Sequence, residues 1–371
     1  MTRATSAFPP IFDGHNDTVL SMIKTGRSFF ERSAGGHIDL PRAREGGMGG
    51  GFFAIYIPDP AVVEMSKEGG PSLEAAMKIY SDERTWPEPM PLDYAQSTAL
   101  ALFGRLLQIP QASNGDVKIV RTAAELQHCL DSGIFAMLLH FEGAEPLDPE
   151  GAALETFYAA GLRSVGLTHS RRNRYAKGVP FKFPHSPDTG EGLTDAGKAL
   201  VQQLNRRKVM IDLSHITEQG FWDVAAISDA PLVATHSNAH VLSNSPRNLT
   251  DRQLDAIRER RGVAGLNFHV GFLREDGARN AETPIARMVL HITYMVERMG
   301  IDHVALGSDF DGADMPAELR DATGLPRLMQ ALEDRGYKRE DLRKLAHGNW
   351  VRVLRETWER PAAPASPAAP R

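Results

Sequence analysis

The 371-residue chain contains a single cysteine, Cys129, which excludes an intrachain disulfide and removes any need for an oxidising compartment. No apolar run approaches the roughly 18 residues of a membrane-spanning helix. The opening Met1-Thr2-Arg3-Ala4-Thr5-Ser6, followed by Phe8-Pro9-Pro10, has no apolar core of signal-peptide length. A basic surplus is also lacking. The formal net charge is −5, and Arg171-Arg172-Asn173-Arg174 is the densest cationic run, which supports neither a nucleic-acid nor a membrane partner. A soluble cytoplasmic protein is the expectation. What the chain does have is 42% hydrophobic and 24% charged residues, enough to bury a large core.

That apolar content recurs as short runs, each ending in a polar group with chemical potential: Ile11–Asp17, Gly51–Pro58, Phe135–Gly143, Ser164–Ser170, Val209–His215, Leu232–Ser237, Gly262–His269 and Val304–Gly312. Near-continuous apolar runs are the mark of strands buried on both faces, as in a parallel sheet covered by helices. Helical patterns fall between most of them. These are Ala152–Ala160, Thr194–Asn205, Asp251–Glu259 behind the N-cap Thr250, Thr283–Met299, Leu325–Arg335 and Arg339–Thr357. Eight such strands alternating with helices predict a (β/α)8 TIM barrel, whose functional groups gather at the C-terminal strand ends. A doubly wound sheet would want a glycine-rich turn between an early strand and a helix. Gly46-Gly47-Met48-Gly49-Gly50-Gly51 precedes a strand and reads as a flexible loop.

Residues 1–360 are expected to form a single (β/α)8 domain, with 361–371 a disordered Pro/Ala-rich tail. Two insertions, Asp59–Gly115 (with a helix near Tyr94–Gln108) and Tyr175–Gly192, fall at the C-terminal face and are placed to shape a pocket mouth. The apolar face of Thr283–Met299 suits either packing on the barrel or a homodimer contact, which stays open.

Five candidate ligands end four of the strands: His15 and Asp17, Glu142, His215 and His236. Along a strand, residues two apart point to one side, so His15 and Asp17 can address one point. Imidazole and carboxylate together suit zinc or a similar divalent cation. Five protein ligands are generous for one catalytic metal, which keeps three and an open position. Two ions divide them sensibly, with His15 and Asp17 on one, His215 and His236 on the other, and Glu142 as the bridge. Such a pair generates a bridging hydroxide and polarises a carbonyl. Asp309 ends the last strand, beside the first in a closed barrel, where a carboxylate can take a proton from water and return it to a leaving amine. His169 ends the fourth strand and is suited to hydrogen-bond a carbonyl or tetrahedral oxygen. Asp311 is given a structural role. Asp212, His140 and His269 are assigned to the core or to support of the ligands. His37, His128, His185, His240, His291, His303 and His347 lack strand-end placement and carry no assignment.

Taken together, Asp13-Gly14-His15-Asn16-Asp17, Glu142-Gly143, Leu167-Thr168-His169, Asp212-Leu213-Ser214-His215, His236-Ser237 and Gly307-Ser308-Asp309-Phe310-Asp311-Gly312 resemble the renal (membrane) dipeptidase family, in the form of a soluble bacterial-type member. The resemblance runs from about Pro10 to Trp358 in the family's order. It implies a barrel metallohydrolase with two zinc ions bridged by a glutamate, hydrolysing dipeptides and tolerating a D-residue at the C-terminal position. By motif, His15, Asp17, Glu142, His215 and His236 resemble its metal ligands, Asp309 its acid/base and His169 its substrate-contacting histidine. Ser245-Pro246-Arg247-Asn248-Leu249-Thr250-Asp251 resembles the segment whose arginine, here Arg247, binds the substrate carboxylate, a pairing that suits a guanidinium fork. Asn267, ending the seventh strand, is placed on the pocket wall. The animal enzymes are secreted, lipid-anchored and disulfide-bonded, so their location does not transfer. Two alternatives stay open at this point. One is another binuclear amidohydrolase acting on a cyclic amide, lactone or N-acyl compound. The other is a barrel that has lost catalysis, against which every ligand and Asp309 are present.

Overall fold

The computed structural model describes residues 7–67 and 72–360. Its strands, in chain order, are β1 (Ile11–Asn16), β2 (Met48–Tyr56), β3 (Val117–Ile119), β4 (Phe135–Glu142), β5 (Leu162–Gly166), β6 (Met210–Asp212), β7 (Val233–Ala234), β8 (Val263–Leu266) and β9 (Val304–Leu306). Eight run parallel in the order β1-β2-β4-β5-β6-β7-β8-β9. The ring is drawn shut where Asn16 bridges Phe310, with the Asp309 amide on the His15 carbonyl at 3.0 Å and the Asp17 amide on the Phe310 carbonyl at 2.8 Å. This is the (β/α)8 barrel expected from the alternation of apolar runs and helices.

Two strand expectations need correction. The three-residue β3 falls in none of the expected runs; it pairs Phe135–Met137 of β4 before β5 takes over at Leu139. Its length is too short for a periodic signal. The glycine-rich stretch is no flexible loop, because Met48–Gly51 is the first half of β2. Glycine is required there by close approach: a Cβ on Gly50 would stand 2.1 Å from the Ala136 carbonyl oxygen. The pocket insertions begin as expected, with the helix Leu92–Ala112 extending Tyr94–Gln108 at both ends. The last helical segment is broken. Arg339–Arg343 and Asn349–Trp358 flank a wide turn at Lys344–Gly348. The helix Ile285–Met299 turns Met288, Ile292 and Met295 into the core, so most of its apolar face is spent on the barrel. Residues 361–371, expected to be a disordered tail, lie outside the described residues.

The barrel interior is filled from its N-terminal end by Phe12, Phe52, Leu138, Met210, Val233, Val263 and Ala305, with Trp350 rising beneath them. Trp350 is fully buried and its indole donates to the Leu306 carbonyl at 3.1 Å. The interior narrows above it. A Cβ on Gly14 would lie 2.5 Å from both the Thr235 carbonyl oxygen and the Trp350 ring. Gly14→Ala is therefore expected to overpack this level and cost about 1–3 kcal/mol, read as a lowered denaturant midpoint; an unchanged midpoint would show that the level can yield.

Candidate metal centre and active site

The C-terminal strand ends carry the groups singled out in the sequence, and the structure brings them together. β1 supplies His15 from an irregular stretch: its register advances three residues, Asp13 to Asn16, while β2 advances two, Gly51 to Phe53. An extra residue of this kind re-aims a side chain, and the fully buried His15 comes to stack on His236 with ring centroids 3.8 Å apart. Asp17 caps the helix Thr18–Thr25 without a side-chain cap bond, which leaves its carboxylate for the site. Glu142 is the last residue of β4. His215, three residues past β6, has φ 68°, and Asp309, three past β9, has φ 62°. Positive φ outside glycine is a strained state that clusters at functional positions.

Glu142 is the hub. Its Oε1 lies 3.1 Å from His215 Nε2, 3.5 Å from His15 Nε2 and 3.6 Å from His236 Nε2. His215 and His236 bring their Nε2 atoms to 3.1 Å, and His15 Nε2 is 3.5 Å from Asp17 Oδ2. Ligands at about 2.0–2.1 Å around a tetrahedral ion stand roughly 3.3 Å from one another, so this is the spacing of a cation's donor set. Three overlapping groups emerge: His15 with Glu142 and His236, Glu142 with His169 and His215, and His15 with Asp17 and Asp309. Neither ring nitrogen of the buried His15 has a hydrogen-bond partner, and a cation would satisfy Nε2, the one that faces Glu142 and Asp17.

The electrostatics agree. Burial opposes a charged His15, but Glu142, Asp17 and Asp309 outweigh it and push its pKa up to about 10. Burial, partly offset by His15, raises Glu142 to about 8 and lifts Asp309 as well. A cation among these carboxylates would favour their ionised forms against that burial. Burial, reinforced by nearby cationic groups, keeps His169, His215 and His236 well below the ordinary imidazole range. Neutral imidazole is the ligand form. The residues present fit divalent cations.

Above this floor opens a cavity of about 630 Å³. Asp17, Glu142, His169, His215 and Asp309 reach its polar end, and Val62, Val63, Phe181 and Phe272 give it apolar walls. A Cβ on Gly312 would stand 2.1 Å from Asp17 Oδ2 and 2.7 Å from Asp309 Oδ1, so glycine is what lets the two carboxylates face one another. His169 leans on Tyr56 and His215, with centroids 4.7 and 4.2 Å away. Arg247 is buried with its guanidinium 5.4 Å from the ring of Phe272, which lines the cavity. It donates to the His236 carbonyl at 3.0 Å and to Ser237 Oγ at 3.4 Å, and its Nε has no partner. Burial lowers its pKa to about 10 against the pull of Asp309 and Glu142.

Three placements differ from the sequence expectation. Asn267 is fully buried and holds Asp309 instead of facing the cavity: its Oδ1 accepts the His269 amide at 2.7 Å, so its Nδ2 is the atom that donates to Asp309 Oδ2 at 2.8 Å. His269, assigned to the core or to support of the ligands, lines the cavity wall. Tyr56 went unnoticed, although it ends a strand already identified; position at the strand end was the available signal. Asp311 takes Arg27 at 2.6 Å, Thr18 Oγ1 at 3.0 Å and the His37 amide at 2.7 Å, which ties the β9 loop to the β1 side.

Comparison with known proteins closes the question of kinship. Residues 3–365 match the family model described as membrane dipeptidase (peptidase family M19). The chain belongs to the membrane dipeptidase family. As a member of it, the chain is a metallopeptidase-type enzyme. A metallo peptidase from Rhodobacter sphaeroides, solved with a phosphinate mimic of the dipeptide L-Ala-D-Ala, is 46% identical; the match covers 95% of this chain and 100% of that one, with a TM-score of 0.88. The dipeptidase AC, a metallo peptidase of family M19, is 47% identical over 95% of this chain and 99% of its own, with a TM-score of 0.87. The "uncharacterized protein in pqqA 5'region" of Klebsiella pneumoniae is 50% identical over 254 residues, 68% of this chain and 94% of its own length. Among the described residues no helix of this membrane dipeptidase family chain is long and apolar enough to cross a membrane.

Proposed function

We propose that the chain hydrolyses dipeptides with two divalent cations, zinc by preference, held by His15 and Asp17 on one side, His215 and His236 on the other, and Glu142 between them. The observation that carries this reading is Glu142 Oε1 set among three imidazole Nε2 atoms at 3.1–3.6 Å on the floor of a cavity with Asp309 at its edge. Bound there, the cations would supply Lewis acidity toward the scissile carbonyl and lower the pKa of water to near neutrality.

The chain's own groups do the rest. The Arg247 guanidinium, with its Nε uncommitted, pairs with the substrate carboxylate. His169, neutral and with Nδ1 unpartnered, donates a hydrogen bond to the carbonyl oxygen as negative charge develops there. Water adds to the carbonyl carbon, Asp309 takes its proton, the C–N bond breaks, and Asp309 returns the proton to the departing amine nitrogen. Tolerance of a D-residue at the C-terminal position is part of the proposal, supported by the L-Ala-D-Ala mimic bound in the Rhodobacter sphaeroides relative. So is a cytoplasmic setting, in keeping with a lone buried thiol at Cys129.

The test is hydrolysis of L-X-D-Y beside L-X-L-Y dipeptides on protein of measured metal content, before and after chelation. About two zinc per chain and chelator-sensitive cleavage of both are expected. Two metals with no cleavage of any dipeptide would keep the centre and reject the substrate; no stoichiometric metal would reject the centre.

A further inference from the structure

His215 and His236 both present Nε2 to Glu142 while Nδ1 turns back into the barrel, and what Nδ1 meets differs between them. His215 Nδ1 lies 2.9 Å from Ser170 Oγ, a hydroxyl that can give or take a proton. His236 Nδ1 lies 2.8 Å from Thr235 Oγ1, and that hydroxyl is already committed, because it donates to Asp212 Oδ2 at 2.6 Å. The other oxygen, Asp212 Oδ1, accepts the backbone amides of Thr235 at 2.8 Å and Ser214 at 3.0 Å. Ser214 Oγ accepts the His236 amide at 3.1 Å and stands 3.4 Å from Thr235 Oγ1. Asp212, Ser214, Thr235 and His236 are all buried.

A hydroxyl has one proton. With that proton on the bond to Asp212, Thr235 Oγ1 can only accept from His236, so the ring proton sits on Nδ1 and Nε2 is a bare lone pair facing Glu142. We propose that Asp212 and Thr235 are positioning residues that hold His236 in its cation-ligating tautomer. The inference rests on the metal-centre reading above, since it concerns a ligand of that centre. Asp212 thus acts at one remove, through a hydroxyl, where metal-bound histidines more usually meet a carboxylate or carbonyl directly.

The arrangement has a polarity that substitution can reverse. In Asp212→Asn the amide oxygen must take the Oδ1 position, because two backbone N–H groups point there. The amide NH2 then faces Thr235 Oγ1, which is left to donate to His236 Nδ1, and the ring proton moves to Nε2, where it blocks the ligand position.

The test is zinc affinity of the full-length chain by chelator competition, with secondary structure and thermal midpoint recorded on each metal-free variant. Thr235→Val, which keeps the shape and removes the hydroxyl, is expected to weaken zinc at one site by about 10–100-fold. Thr235→Ser should restore it. Asp212→Asn should weaken it at least as much as Thr235→Val, and it keeps the proposal testable if the valine variant does not fold. Wild-type zinc affinity in folded Thr235→Val, or a Thr235→Ser variant as weak as it, would overturn the inference and leave the proposed function standing. Wild-type protein that binds no zinc would overturn both.

Discussion

Asp309→Asn is expected to abolish dipeptide hydrolysis, lowering kcat by about 10²–10⁴-fold, while the fold and the bound metal remain. The expectation follows from two features of the site. Asp309 has φ 62°, a conformation asparagine adopts at least as readily as aspartate, so the backbone need not move. Asn267 offers Asp309 an N–H, because its own oxygen is taken by the His269 amide. The new amide must then turn its oxygen to Asn267 and its NH2 to the cavity. That group can neither accept a proton from water nor return one to an amine. Measuring kcat, KM and metal content together decides the matter, since a variant with a full metal complement and more than a tenth of wild-type kcat would remove Asp309 from the proton path.

Glu142→Gln is expected to fail differently, by losing the cations. Glu142 Oε1 lies within 3.6 Å of all three floor imidazoles, and glutamine halves its acceptor capacity and removes its charge. Metal content should drop from about two per chain to one or fewer, and activity to the level of the chelated wild type. Elemental analysis after dialysis against metal-free buffer would read this out; two ions retained would mean that Glu142 is not the bridge. The two variants thus separate proton transfer from metal retention.

The barrel and the clustering of polar groups at its strand ends were legible because both leave strong marks. A strand buried on both faces must be apolar along its length, and the polar residue that ends it stands out. What escaped the sequence had weaker or opposite marks. Met48–Gly51 looked like a loop because glycine usually signals one, whereas here Gly50 is required where β4 approaches too closely for a Cβ. Val117–Ile119 is too short to show a period. The wide turn at Lys344–Gly348 interrupts a helical pattern without proline or a cap to announce it. Asn267 was located at the right strand end and placed on the pocket wall, but its amide turns to Asp309 because its oxygen is taken by the His269 backbone amide, which spacing does not show. Tyr56 was passed over because a tyrosine among apolar residues looks like core; its ring against His169 is visible only in three dimensions.

The seam at which the ring is drawn shut has a consequence for how the enzyme matures. His15 and Asp17 lie on one side of that seam and Asp309 on the other, nearly three hundred residues later in the chain. A growing polypeptide on the ribosome has the first two donors, then Glu142, then the later histidines, but it cannot assemble the grouping of His15, Asp17 and Asp309 until its last strand has docked beside its first. The five proposed cation donors are thus all in the chain by His236, and what closure of the seam adds is Asp309, so the proposed proton carrier reaches the centre only when the ring is finished.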